Sequence, residues 1–151
     1  MKWEEYSEGS QNAEDIKKKI QSAINEIIVN KALSQVCPNI VKCYRAFLST
    51  KRVYIIQEFM ENGTVEDFIC KGKGRKYTEE SCKYILYNVA KALHFMHEKG
   101  VLHRDLKSAN VLIGGQGEIK ICDFGFSRKN RENEERWTKL GTPQFMAPEI
   151  L

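Results

Sequence analysis

Residues 103 to 110 read HRDLKSAN, directly after the apolar pair Val101 and Leu102, and a further acid follows in Asp123-Phe124-Gly125. An acid, two cations and a carboxamide on one short loop suit the movement of a phosphoryl group from a nucleotide to an alcohol. That reaction needs cations against the phosphates, a group that orients the acceptor hydroxyl or takes its hydrogen, and positive charge near the group in flight. Asp123 and Asn110 offer hard oxygens of the kind Mg²⁺ prefers, because that ion combines one or two protein oxygens with water and phosphate. Asp105 is expected to stand free to accept a hydroxyl hydrogen. Lys107 can aim its ammonium at the phosphoryl group, a stabilisation typically worth ~3 kcal/mol. Packing alone explains these residues poorly, since buried acids without partners are too costly to hold.

The set has to be positioned by neighbouring elements. Val111-Leu112-Ile113 and Ile119-Lys120-Ile121-Cys122 flank the turn residues Gly114-Gly115-Gln116-Gly117 and read as a hairpin. HRDLKSAN precedes its first strand and Asp123 follows its second, so the two loops are expected to meet at one end. Before them, Thr78 with Glu79 and Glu80 starts a helix whose buried face is expected at Cys82, Ile85, Leu86, Val89, Leu93 and Met96, with Gly100 as its left-handed stop. Earlier still, Asn12 is a candidate N-cap with Asp15 three residues on. Ile16, Ile20, Ala23, Ile24, Ile27, Ile28 and Leu33 then recur at helical spacing, which predicts a helix over 13–34. Cys37-Pro38-Asn39 breaks it. The runs from Ile40 to Leu48 and from Val53 to Phe59 predict an antiparallel hairpin around Ser49-Thr50-Lys51-Arg52, and a short helix is expected from Val65 to Cys70.

With 151 residues, 42% hydrophobic and 29% charged, the chain has the composition of one globular domain and its core. Its formal charge of +4 is scattered rather than clustered, which argues against a nucleic-acid partner. No apolar run is long enough to cross a bilayer, so a membrane role is not expected. Five cysteines, Cys37, Cys43, Cys70, Cys82 and Cys122, form an odd set without a C-x-x-C pair. They point to reduced thiols in a cytoplasmic or nuclear setting. KGKGRK at 71–76 reads as a solvated loop, and His94 with His97 lacks further residues placed to complete a zinc set.

The chain resembles the eukaryotic protein kinases. The likeness is carried by His103-Arg104-Asp105-Leu106-Lys107-Ser108-Ala109-Asn110, Asp123-Phe124-Gly125, Gly141-Thr142-Pro143 and Ala147-Pro148-Glu149, in that family's order and approximate spacing. Lys107 and the Gly141-Thr142 pair resemble the serine/threonine type. Ile24 to Ile28, Pro38-Asn39-Ile40-Val41 and Gly125-Phe126-Ser127 resemble the sterile-like group with the PAK-type kinases. The resemblance implies an α+β, two-lobe domain using ATP and Mg²⁺ on a protein substrate with a serine or threonine acceptor. It implies Asp105 as catalytic base, Lys107 as phosphate cation, Asn110 and Asp123 as metal and nucleotide ligands, and Thr142 within the catalytic set. Glu26 would pair with an ATP-binding lysine, Glu58 and Met60 would hold adenine through the hinge backbone with Gln57 behind them, and Leu112 would lie beneath the ring. Arg104 would pair with a phosphate placed on Thr138 by an upstream activating kinase.

The chain also departs from that family. A glycine-rich loop and a lysine-bearing strand are expected before Glu26, yet Met1-Lys2-Trp3-Glu4-Glu5 does not read as a strand, and the glycines of 72–77 lie after the hinge. Asn30 stands one turn after Glu26, where the family usually has an apolar residue packing toward Phe124. The chain therefore reads as a polar segment over 1–13 and a partial kinase domain over 14–151, truncated at both ends. Exposed core residues forfeit ~1.5 to 3 kcal/mol each against a whole-domain stability of about 5 to 15 kcal/mol. As a separate piece it is expected to be inactive and poorly stable, and the alternative reading is a non-catalytic kinase remnant acting as a scaffold.

Overall fold

A computed structural model of the chain describes residues 2–5, 13–48, 52–71, 78–129 and 141–150. Its first layer is a three-stranded antiparallel sheet of β1 (Lys2–Glu5), β2 (Cys43–Leu48) and β3 (Arg52–Gln57), in the order β1-β3-β2. Strand β1 corrects the sequence reading of the N-terminal residues. It pairs with β3 from Lys2 opposite Ile55 to Glu5 opposite Arg52. KWEE lacks the alternation of a half-buried strand, but an edge strand needs little of it, because its partner supplies the ladder. The β2–β3 hairpin is shorter than its apolar runs suggest. Ile40 leaves it to form a parallel bridge with Ile121, where the Val41 N–H donates to the Ile121 carbonyl at 3.0 Å and the Ile121 N–H to that of Asn39 at 2.9 Å.

Helix α1 (Ala13–Ser34) has the predicted extent and packs Ile20, Ala23 and Ile27 on Cys43, Val53 and Ile55 of the sheet. Its buried stripe is not simply the isoleucine stripe. Val29 and Leu33 enter a second cluster with Phe124 and Ile121, while Ile28 is exposed. Glu26 and Asn30, one turn apart, are each only 1% exposed.

Below the sheet lie α2 (Val65–Lys71) and α3 (Glu79–Glu98). The Thr78 hydroxyl caps α3 by accepting from the Ser81 N–H at 3.1 Å, and Gly100 follows the helix at φ 65°. The α3 face turned to the core is Ile85, Val89, Ala92, Leu93 and Met96. Cys82 and Leu86, expected on it, are exposed, because the stripe is narrower than the apolar pattern and leaves them on its flank. Strand β4 (Val101–Leu102) pairs with β7 (Arg128–Lys129), and β5 (Val111–Ile113) with β6 (Ile119–Ile121). Among the described residues no helix is long and apolar enough to cross a membrane. Asn12, the tip of the first hairpin, the loop at 72–77 and Thr138 lie outside the described residues.

Candidate active site

Strand β4 delivers the chain to His103, and a single helical turn over Ser108–Asn110 leads from the loop into β5. The His103 ring is buried against Phe124, with centroids 5.3 Å apart. Its Nδ1 accepts from the Asp105 N–H at 3.3 Å, so Nε2 carries the hydrogen and donates to the Cys122 carbonyl at 3.0 Å. Burial pushes the imidazole below its ordinary pKa, against the opposing pull of that carbonyl, Asp123 and Asp105. The histidine thus joins the two loops as a neutral spacer.

Asp105 is not free, contrary to the sequence expectation. Its Oδ1 accepts from the Thr142 N–H at 2.9 Å and the Thr142 hydroxyl at 2.8 Å. Its Oδ2 accepts from Lys107 Nζ at 2.8 Å and from Asn110 Nδ2 at 3.3 Å. The same Lys107 ammonium donates to the Thr142 hydroxyl at 2.8 Å, and Asn110 Nδ2 donates to the Asp105 carbonyl at 2.8 Å. Burial alone would raise the carboxyl pKa, but Lys107 and Thr142 outweigh it and hold the group below its ordinary value. The reason Thr142 reaches so far in is Gly141, which has φ 118° and an α-carbon whose added methyl would sit 2.4 Å from the Arg104 carbonyl oxygen.

Asn110 and Asp123 are joined through the backbone, the Cys122 N–H donating to the Asn110 carbonyl at 3.0 Å. Asp123 itself has φ 65°. A Cβ added at Gly125 would lie 3.4 Å from Asp123 Oδ1 and 3.7 Å from Glu26 Oε2, so the carboxylates of Glu26 and Asp123 converge on that glycine. Ser22 and Asn25 secure the approach of α1: their side chains donate to the carbonyls of Gly125 at 3.0 Å and Ser127 at 2.9 Å. Asp105, Lys107, Asn110, Thr142, Asp123 and Glu26 therefore form one connected region. Sequence reasoning missed Ser22 and Asn25, whose polar types on a helix face carried no signal of a tertiary partner.

Glu58, Met60 and Leu112 form a second group beside β5. The Glu58 N–H donates to the Lys42 carbonyl at 2.9 Å, Met60 is buried, and Thr64 bridges Leu112. On β3 and α1, Gln57 Nε2 and both amide atoms of Asn30 are buried without a hydrogen-bond partner. Arg104, at φ 66°, donates from Nε to the Phe126 carbonyl at 2.7 Å. Burial and the nearby Arg128 lower its pKa, a second cation that sequence reasoning did not single out. An open groove lined by Phe68, Tyr84, Ile85 and Ile119 lies at the turn end of the β5–β6 hairpin, opposite the end that carries Asn110 and Asp123.

Comparison with known proteins agrees with this geometry. Residues 9–151 match the family described as protein kinase domain. Over 129 residues the chain is 42% identical to the serine/threonine-protein kinase CST20 of Candida albicans, covering 85% of this chain and 10% of that protein. It is 39% identical over 129 residues to the serine/threonine-protein kinase STE20 of Saccharomyces cerevisiae, covering 85% and 13%. With an Aurora kinase of Candida glabrata it shares 40% over 114 residues, covering 76% and 31%. The chain thus spans about a tenth of the length of CST20. On the match across nearly all of its residues, the chain belongs to the protein kinase family, with serine/threonine kinases of the STE20 kind among its relatives.

Proposed function

We propose that the protein containing this chain transfers the γ-phosphoryl group of Mg-ATP to a serine or threonine hydroxyl of a protein substrate. The observation that carries the reading is the Asp105 carboxylate accepting a hydroxyl from Thr142 while Lys107 binds both groups. A carboxylate held ionised beside an ammonium, with an alcohol already bound to it, is suited to orient an acceptor hydroxyl that takes that alcohol's place and to take up its hydrogen. Lys107 then stabilises negative charge on the group in transfer. Thr142 fixes both side chains, and the seryl or threonyl acceptor competes for the same oxygen.

Asn110 commits its Nδ2 to Asp105, which leaves its Oδ1 as a donor atom beside the Asp123 loop. One carboxylate and one carboxamide oxygen suit Mg²⁺. When bound, that ion neutralises phosphate charge. Glu58 and Met60 hold adenine over Leu112 with Gln57 behind. Glu26 orders the phosphate-binding side, where it lies beside Gly125 and Asp123. Arg104 and Arg128 receive a phosphate on Thr138 from an upstream kinase. Residues 14–151 make up the kinase portion, with β1 docked on it from the preceding segment, and the protein works in the cytoplasm.

The test is Asp105→Asn in the full-length protein. Removing the base should lower kcat for a serine-containing substrate by about 10²- to 10⁴-fold while nucleotide binding persists. Undiminished turnover would reject the assignment. Failure of the unsubstituted protein to bind ATP would favour a scaffold instead.

A further inference from the structure

Lys120 is the one charged residue of strand β6. Ile119 and Ile121 on either side of it are buried in the core, so alternation turns Lys120 to the opposite face. There it is the ladder partner of Leu112. Directly paired residues of an antiparallel ladder share a face, so Lys120 and Leu112 look together toward the segment at 58–64, which Thr64 ties to Leu112. The Lys120 ammonium meets Glu58 Oε1 at 2.5 Å. The other oxygen, Oε2, accepts the Lys42 N–H at 3.2 Å.

Both partners are largely withdrawn from water, their side chains being 11% exposed for Lys120 and 20% for Glu58. Burial would raise the Glu58 carboxyl pKa, but Lys120 and Lys42 together hold it below its ordinary value. The pair is thus a charged strut of fixed reach between the end of β3 and the middle of β6. An exposed ion pair contributes little. This one is directional and partly desolvated, and it spans the two walls between which a flat base would have to fit: 58–60 on one side and Leu112 on the other.

We propose that the Glu58–Lys120 pair sets the separation of the hinge segment from the Leu112 floor, which makes Lys120 a positioning residue for the purine of the nucleotide. The inference rests on the reading of 58–60 as the adenine-binding segment. A strut that fixes the slot acts on affinity for the base and leaves alone the chemistry at Asp105, to which neither Glu58 nor Lys120 is bonded. A strut that merely stabilises the fold acts on stability without separating the two.

The experiment measures mant-ADP affinity by fluorescence, and KM and kcat for ATP, in the full-length protein with Lys120→Met, Lys120→Arg, Glu58→Gln and the Glu58→Gln/Lys120→Met double variant. Lys120→Met should weaken mant-ADP binding and raise KM by about tenfold with kcat within about twofold, because a charge-assisted bond is lost. Lys120→Arg, which keeps the ion pair, should restore affinity to within about threefold. The double variant should be no weaker than either single one, as expected of two groups acting through a single contact. Unchanged affinity in Lys120→Met, or a fall in kcat and thermal stability at constant KM, overturns the proposal. So do additive effects in the double variant. If the unsubstituted protein binds no mant-ADP, the nucleotide site falls along with the inference; if it binds normally and only the variants fail to respond, the strut alone falls.

Discussion

Two groups of buried polar side chains, one around Asp105 and one on α1 and β3, are completed in different ways. Around Asp105, both carboxylate oxygens, the Lys107 ammonium, the Asn110 amide nitrogen and the Thr142 hydroxyl find partners among one another, and His103 closes the group from behind. On α1 and β3, Asn30 keeps two buried amide atoms and Gln57 one with no partner. A satisfied network in a low-dielectric interior rigidifies its members, whereas an unpartnered buried polar atom carries its full desolvation cost. The lower group therefore holds its geometry through its own residues. The seam between α1 and the sheet is held by the apolar contacts of Ala23, Ile27, Val53 and Ile55, while Asn30 and Gln57 on the same two elements carry an uncompensated cost.

The sharpest way to break this contrast is one change of residue type made in both places. Asn110→Leu removes the donor to the Asp105 carbonyl and carboxylate and should destabilise the fold by about 2 to 3 kcal/mol, read from the denaturant midpoint. A loss under half of that would mean the lower network is not mutually supporting. Thr142→Val keeps the backbone bond to Asp105 but deletes the hydroxyl shared with Lys107. It should lower kcat by about 10- to 100-fold through misplacement of the carboxylate, with little change in melting temperature.

Asn30→Leu should go the opposite way to Asn110→Leu and stabilise by about 1 kcal/mol, since it removes two desolvated atoms and adds apolar contact. A destabilised Asn30→Leu variant would erase the contrast. The last test concerns His103. Its folded pKa lies below the ordinary value near 6.5, so the stability it contributes is complete above that value and is lost as pH falls from there toward the folded value. The fall in melting temperature between about pH 7 and about pH 5.5 should therefore shrink in His103→Gln, a window above the range in which the Asp105 carboxylate begins to protonate. An identical slope in the variant would assign the acid sensitivity elsewhere.

Much of this arrangement could be read from local chemistry. The span of α1, the Thr78 cap, the turn after Gly100 and the β5–β6 hairpin each follow from side chains within a few positions of one another. The meeting of the Asp105 and Asp123 loops followed from that hairpin. What escaped were features decided by distant partners. Strand β1 exists because β3, far along the chain, offers an open edge, and nothing in KWEE announces it. The saturation of Asp105 depends on Thr142, which only Gly141 allows so close. On α1 the isoleucine periodicity pointed to Ile28, yet Glu26 and Asn30 are buried and Ile28 is not. Helical spacing reports where apolar residues fall, and it is silent on polar ones drawn inward by a neighbouring site. The lower group is legible because its members are close in sequence apart from Thr142; the upper seam is less so because every contact there crosses between elements.

The parallel bridge at Ile40 and Ile121 has a mechanical meaning. The peptide groups of Asn39 and Val41 grip Ile121 from both sides, and the Asn39 side chain also donates to the Ile119 carbonyl at 3.0 Å and to Asn88 Oδ1 at 2.9 Å. The loop leaving α1 is thereby spliced into β6 two residues ahead of Asp123, with α3 bolted to the same joint. Sliding of α1 along its axis would drag on that splice, so the heading of the Asp123 carboxylate and the seat of the helix are linked as two ends of one lever whose fulcrum is Ile121.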